Sequence, residues 1–159
     1  MDLIYVETTV IGNVAGRIHS NPDVASRQRT TRAWWTAASS RFELAISQLV
    51  VDECSDGDPA AAQERLEVVK DLTILAIPDD ARALARLLNA EGAVPPSEPR
   101  DALHIAVAAV QGVQYLVTWN FKHIANATMR TKIEETCRNA GYTPPIICSP
   151  PEIPGDNDD

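Results

Sequence analysis

The feature that most constrains this chain is the alternation of short apolar runs with segments of helical spacing. Leu3-Ile4-Tyr5-Val6 is apolar throughout and gives way to Thr8, Thr9 and Gly12, the pattern of a buried strand running into a turn. Residues 22–39 read as a helix, and Leu44-Ala45-Ile46 as a second strand. Ser47 stands where an N-cap belongs, ahead of a helix reaching about Asp56, with Gly57 to end it. Asp58-Pro59 then offers a cap and a first-turn proline, and Ala62, Leu66 and Val69 keep one helical face apolar. A strand over Leu72–Ile77 precedes a helix opened by Pro78-Asp79, carrying Leu84, Leu87 and Leu88, and closed by Gly92. Residues 95–99 form a proline-rich loop, in which Ser97 is placed to cap a helix over 98–112. The Leu103–Val110 stretch of that helix is almost wholly apolar, so it must be central and covered. Tyr115–Trp119 reads as a strand, 129–140 as a helix and Ile146-Ile147 as a last strand. This order predicts an α/β fold around a mostly parallel sheet, as one domain over residues 1–149. An acidic, proline-rich tail over 150–159 is expected to be disordered.

Composition narrows the function. The 159 residues suit one domain, and at 45% hydrophobic they can bury a core. No uncharged apolar run reaches the roughly 18–20 residues of a membrane-spanning helix, and no secretory signal opens the chain. Cys54, Cys137 and Cys148 form no C-x-x-C pair, which argues against a disulfide framework or a zinc site and fits a reducing cytoplasm. A net charge of −8 excludes binding nucleic acid through a broad basic surface. The charge is segregated, however. Half of the excess lies in the last eight residues, while residues 17–41 carry Arg17, Arg27, Arg29, Arg32 and Arg41 against Asp23 alone.

In parallel sheets ligands bind beyond the carboxyl ends of the strands. Glu7 and Asn120 each follow a predicted strand and fall at that edge. Asp101 lies in the first turn of the apolar helix, and Glu53, three and four residues after Val50 and Leu49, lies on an apolar helix face. Buried carboxylates must be paired, hydrogen-bonded or metal-bound. His104 is spaced to pair with Asp101, and Lys122 and His123 follow Asn120. Oxygen donors of this kind suit Mg²⁺ or Mn²⁺. An acidic pocket filled with such ions accepts a phosphodiester that the bare protein would repel. Taken singly, each residue has another reading. Asp101 also complements a helix dipole, Glu53 suits a frayed helix end, Glu7 a turn, His104 the core and His123 the surface. Thr8 and Thr118 read as turn and strand residues whose hydroxyls could orient a carboxylate. Trp34 and Trp35 read as core or as an interface anchor. There is no Gly-rich phosphate loop, G-x-S-x-G or H-E-x-x-H motif.

Four segments together resemble the PIN-domain proteins of the VapC toxin type: Y-V-E-T-T-V-I-G at 5–12, S-Q-L-V-V-D-E at 47–53, D-A-L-H-I-A at 101–106 and L-V-T-W-N-F-K-H-I at 116–124. The resemblance spans about residues 3–149. It implies a three-layer α/β/α sandwich and metal-dependent cleavage of RNA by the toxin of a toxin–antitoxin pair, with a cognate antitoxin and a homodimer as partners. Carried onto this sequence, it places Glu7, Glu53, Asp101 and Asn120 around Mg²⁺ or Mn²⁺, with Thr8, Thr118 and His104 supporting. Lys122 and Arg17 are the candidates for contacting RNA. Two positions depart from the family pattern. Glu7 stands where Asp is usual, and Asn120 replaces the acid of a T-x-D pattern. The extra methylene can displace an ion by about an ångström, a change worth roughly 100-fold in rate. The amide supplies a neutral oxygen. Both departures favour a single ion over a pair roughly 3.5–4 Å apart.

Two other readings stay open on the sequence. The same fold with a degenerate site would be a binding module that acts through a protein partner. The same acidic pocket could also hydrolyse small phosphate esters.

Overall fold

The computed structural model describes residues 1–153. Five strands form one parallel sheet: β1 (Leu3–Val6), β2 (Glu43–Ser47), β3 (Thr73–Leu75), β4 (Tyr115–Val117) and β5 (Ile146–Cys148), in the order β3-β2-β1-β4-β5. The register pairs Tyr5 with Ala45 on one side and with Leu116 on the other. The central strand is the most apolar, because a parallel strand covered on both faces has no solvated side. Ile4, Tyr5 and Val6 are accordingly fully buried.

Among the described residues seven α-helices connect the strands: α1 (Thr8–Val14), α2 (Pro22–Arg41), α3 (Gln48–Cys54), α4 (Pro59–Val69), α5 (Asp79–Ala90), α6 (Pro99–Val110) and α7 (Arg130–Asn139). The helix α1 packs on α2, α3 and α4, and α5 packs on α6 and α7. Two helical layers therefore flank the sheet, as right-handed crossovers require when the strand order reverses direction. The expected three-layer α/β/α architecture is present. Helix α6 is the covered helix that its composition requires, with Ala102 and His104–Ala109 all buried. Its alanines let the backbone lie close to its neighbours.

Several local expectations are corrected. The β-branched run at 8–11, read as a turn, is helix α1. Glu7 caps it by accepting from the Thr9 N–H, and burial of Val10 and Ile11 outweighs the weak helix propensity of these residues. Ser47 makes no cap bond. It ends β2 as a buried residue, with its hydroxyl turned to Tyr5. Ser97 is not a cap either, because α6 starts at Pro99 behind Glu98. Asp58 does cap α4, accepting from the Ala61 N–H at 2.9 Å. The strands expected over 72–77 and 115–119 shorten to three residues each.

Residues 150–153, expected as part of a disordered tail, have a defined structure. Residues 150–152 form a 3-10 turn closed by a capping box between Ser149 and Glu152. Ile153 is buried, and its carbonyl accepts from Trp34 Nε1 at 2.8 Å. The rest of that expectation, 154–159, lies outside the described residues. Among the described residues no helix is long and apolar enough to cross a membrane.

Candidate active site

The strand order reverses between β1 and β4, which makes the edge beyond their carboxyl ends the expected ligand site. Both strands run on into that edge. The Glu7 N–H donates to Val117 O at 3.0 Å, and the Thr118 N–H donates to Cys148 O at 2.9 Å. Glu7 is 3% exposed, so its charge needs partners. Its Oε1 accepts from the Thr118 hydroxyl at 2.7 Å, the Thr9 N–H at 3.1 Å and the Thr9 hydroxyl. These bonds all converge on one oxygen, and Oε2 takes none of them.

Glu53 arrives from the last turn of α3, whose apolar face carries it inward while Asp52 is exposed. Its Oε1 accepts from the Thr8 hydroxyl at 2.8 Å and meets His104 Nε2 at 2.5 Å. Burial alone would raise the Glu53 pKa. The bond and charge of His104, the Thr8 hydroxyl and the Arg100 charge outweigh it and hold the carboxyl below its ordinary value. An ionised carboxylate only accepts, so Nε2 of His104 is the donor. The other ring nitrogen, Nδ1, lies 2.7 Å from the Tyr5 hydroxyl, which is also 2.7 Å from Ser47 Oγ. Burial pushes the Tyr5 phenol far above its ordinary value, so it serves as a neutral link. One hydrogen-bonded chain, Ser47–Tyr5–His104–Glu53–Thr8, buried from Ser47 to His104, thus ties together β2, β1, α6, α3 and α1.

Donor atoms of Glu7, Glu53 and His104 lie within 4.8 Å of one another. Both nitrogens of His104 are engaged, so it supports this group and leaves the two carboxylates as donors. Their second oxygens are hard ligands, and no thiol joins the group. The set fits Mg²⁺ or Mn²⁺.

Asp101 falls into a second group, with Glu98 and His123, likewise within 4.8 Å. Its expected pairing with His104 is corrected. His104 holds Glu53, and Asp101 Oδ2 instead lies 3.0 Å from His123 Nδ1. Burial raises the Asp101 pKa, against the bond from the Asn120 side chain and the charges of His104 and His123. Asn120 bridges this second group. Its Oδ1 accepts from the His123 N–H at 3.0 Å, its side chain bonds Asp101, and its own N–H donates to Thr118 Oγ1 at 2.9 Å. Lys122 and Arg17 are exposed. All three cysteines are buried, with thiol pKa values pushed up by burial to about 11 for Cys54 and Cys137 and about 12 for Cys148.

Sequence reading assigned no site role to Tyr5 or Thr9, took Ser47 for a helix cap, and left His123 at the surface. Tyr5 alone had a visible signal, a hydroxyl inside an otherwise aliphatic central strand, which must find a partner once buried.

No family model matches the chain, and no curated protein matches it. A similar fold occurs in VapBC2 from Rickettsia felis, solved bound to a DNA fragment from its promoter. The match covers 92% of this chain and 98% of that chain, at 16% identity and a TM-score of 0.58. At that identity the likeness is one of fold, and it agrees with the α/β/α architecture that the PIN-domain resemblance implies.

Proposed function

We propose that this chain is a metal-dependent endoribonuclease, the toxin of a toxin–antitoxin pair. The observation that carries the reading is the convergence of Glu7 and Glu53 at the switch point of a VapC-like fold, each held through one oxygen with the other left over. In this reading those two carboxylates hold Mg²⁺ or Mn²⁺. When bound, such an ion polarises the scissile phosphate and lowers the pKa of an attacking water. Thr9 and Thr118 fix the Glu7 carboxylate, and Thr8 and His104 fix that of Glu53.

Asp101 stands one turn before His104, beside Glu98 and His123, and burial makes it a stronger base than an ordinary carboxylate. We assign it the proton of the attacking water, with His123 beside Oδ2 to share the charge. Asn120 positions Asp101 and His123. The expected four-ligand set is thus divided, with two residues holding the ion and two managing the proton. Lys122 and Arg17 contact the RNA backbone. The antitoxin partner is proposed from the VapBC2 likeness, the homodimer from the resemblance, and the cytoplasmic setting from the cysteine pattern.

The test compares the wild type with Asp101→Asn on a mixed RNA pool, with Mn²⁺, Mg²⁺ or a chelator. Cleavage by the wild type alone, and only with metal, is expected. Unchanged cleavage by the variant would overturn the assignment.

One observation favours a second reading. The amide of Asn120, standing where the resemblance expects an acid, suits a degenerate site in a binding module. Calorimetry decides between the two. A folded protein that gives no Mn²⁺ heat at millimolar ion is the binding module.

A further inference from the structure

Resting on the ribonuclease reading, we infer that Trp119 and Phe121 form a stacking platform for an unpaired base of the RNA, with Arg27 and Lys122 beside it for the flanking phosphates. Phe121 is 46% exposed, whereas Leu116, Val117 and Ile124 on either side of it are buried. Nothing in the core needs its ring. What it touches is Trp119, edge-on, with centroids 5.8 Å apart and planes at 78°.

Trp119 is half-buried and is held at its backbone, at its indole N–H and by a cation over its ring. Its Nε1–H donates to Thr31 Oγ1 at 3.0 Å, its N–H donates to Thr9 Oγ1 at 2.9 Å, and the Arg27 guanidinium lies 5.0 Å from its ring centroid. The turn that presents Phe121 is equally fixed. The Phe121 N–H donates to Trp119 O at 3.0 Å, and Asn120 O accepts from the N–H groups of Ile124 and Ala125. A ring on so rigid a support loses little freedom when a base stacks on it.

Place and charge select the occupant. Thr9 Oγ1 bonds both the Trp119 N–H and Glu7 Oε1, so the platform adjoins the carboxylate proposed to hold the ion. Arg27 and Lys122 are exposed cations, and residues 119–123 contain no acid. In a chain of net charge −8, positive charge beside an exposed aromatic ring matches a nucleotide, with its phosphate on the cation and its base on the ring. The ring needs a base whose face is free, which a duplex does not offer. The platform therefore takes an unpaired base, as a single strand or a loop presents it.

The experiment uses the full chain and a fluorescein-labelled 12-nucleotide single-stranded RNA of mixed sequence, alone or annealed to its complement. Binding is read by anisotropy, in chelator and in Ca²⁺. The wild type is expected to bind the single strand more tightly than the duplex. Phe121→Ala should weaken single-strand binding about tenfold at an unchanged melting temperature, Phe121→Trp should restore it, and Lys122→Gln should lower the salt dependence by about one ion. The inference is overturned if Phe121→Ala binds like the wild type, if duplex and single strand bind alike, or if the wild type binds neither in either medium. The last outcome leaves this face to a protein partner. Binding that follows the expected pattern without cleavage would instead sink the ribonuclease reading and leave the platform standing.

Discussion

Tyr5 shows how one hydroxyl can organise a site from inside the core. It is fully buried in the central strand, and its oxygen meets Ser47 and His104. Tyr5→Phe keeps the ring and strands both partners. A buried polar group left without a bond costs about 1–3 kcal/mol, so urea unfolding should show a loss of that size. The cysteines make the opposite case, of reactive groups kept inert. With thiol pKa values of about 11 to 12 and no exposure, they should resist iodoacetamide at pH 8 in the native protein. All three should label once the chain is unfolded, by mass. Rapid labelling of the native protein would contradict the burial described here.

At the scale of elements, the segment after β5 behaves as part of the domain. Glu152 Oε1 accepts from the Ser149 N–H and hydroxyl, at 2.9 and 2.8 Å. The backbone bond first, then the hydroxyl, holds the Glu152 pKa below its ordinary value. A carboxyl whose folded pKa is depressed contributes stability that is present above its unfolded pKa and is lost as pH falls through the folded one. The closing turn should therefore loosen on acidification below the ordinary glutamate pKa, freeing Trp34 from Ile153. Tryptophan emission should report the change, and Glu152→Gln should remove its pH dependence. The cap at Asp58 has a simpler consequence. Asp58→Ala should cost about 1 kcal/mol by losing its bond to the Ala61 N–H, measured by thermal unfolding.

For the whole molecule, the reversal of strand order decides where the candidate site sits. It brings the ends of β1 and β4 side by side, with α1, α3 and α6 closing over them. An ion held there binds the folded chain alone, because Glu7 and Glu53 are neighbours only in the fold. Mn²⁺ at about a hundredfold over its Kd should then stabilise the protein by about 2.7 kcal/mol. For a chain of this size that raises Tm by roughly 5–10 °C. Glu7→Gln should abolish most of the rise, and an undiminished rise in that variant would place the ion elsewhere.

The sequence by itself determined the α/β class, the parallel sheet, the covered helix α6 and the placing of Glu7 and Asn120 just past their strands. These follow from local pattern, since apolar period and turn chemistry act over a few residues. The same local reasoning read a turn where α1 stands, because the burial of Val10 and Ile11 that stabilises that helix comes from distant segments. It also gave His104 to Asp101, three residues away, when the fold gives it to Glu53, 51 residues away. Only the tertiary structure could decide such pairings. A buried carboxylate takes whichever donor the packing brings within about 3 Å, and sequence distance says little about that. The meeting of Glu7 with Glu53 and His104, and the link from Ser47 through Tyr5 to Glu53, depend on the same long-range packing.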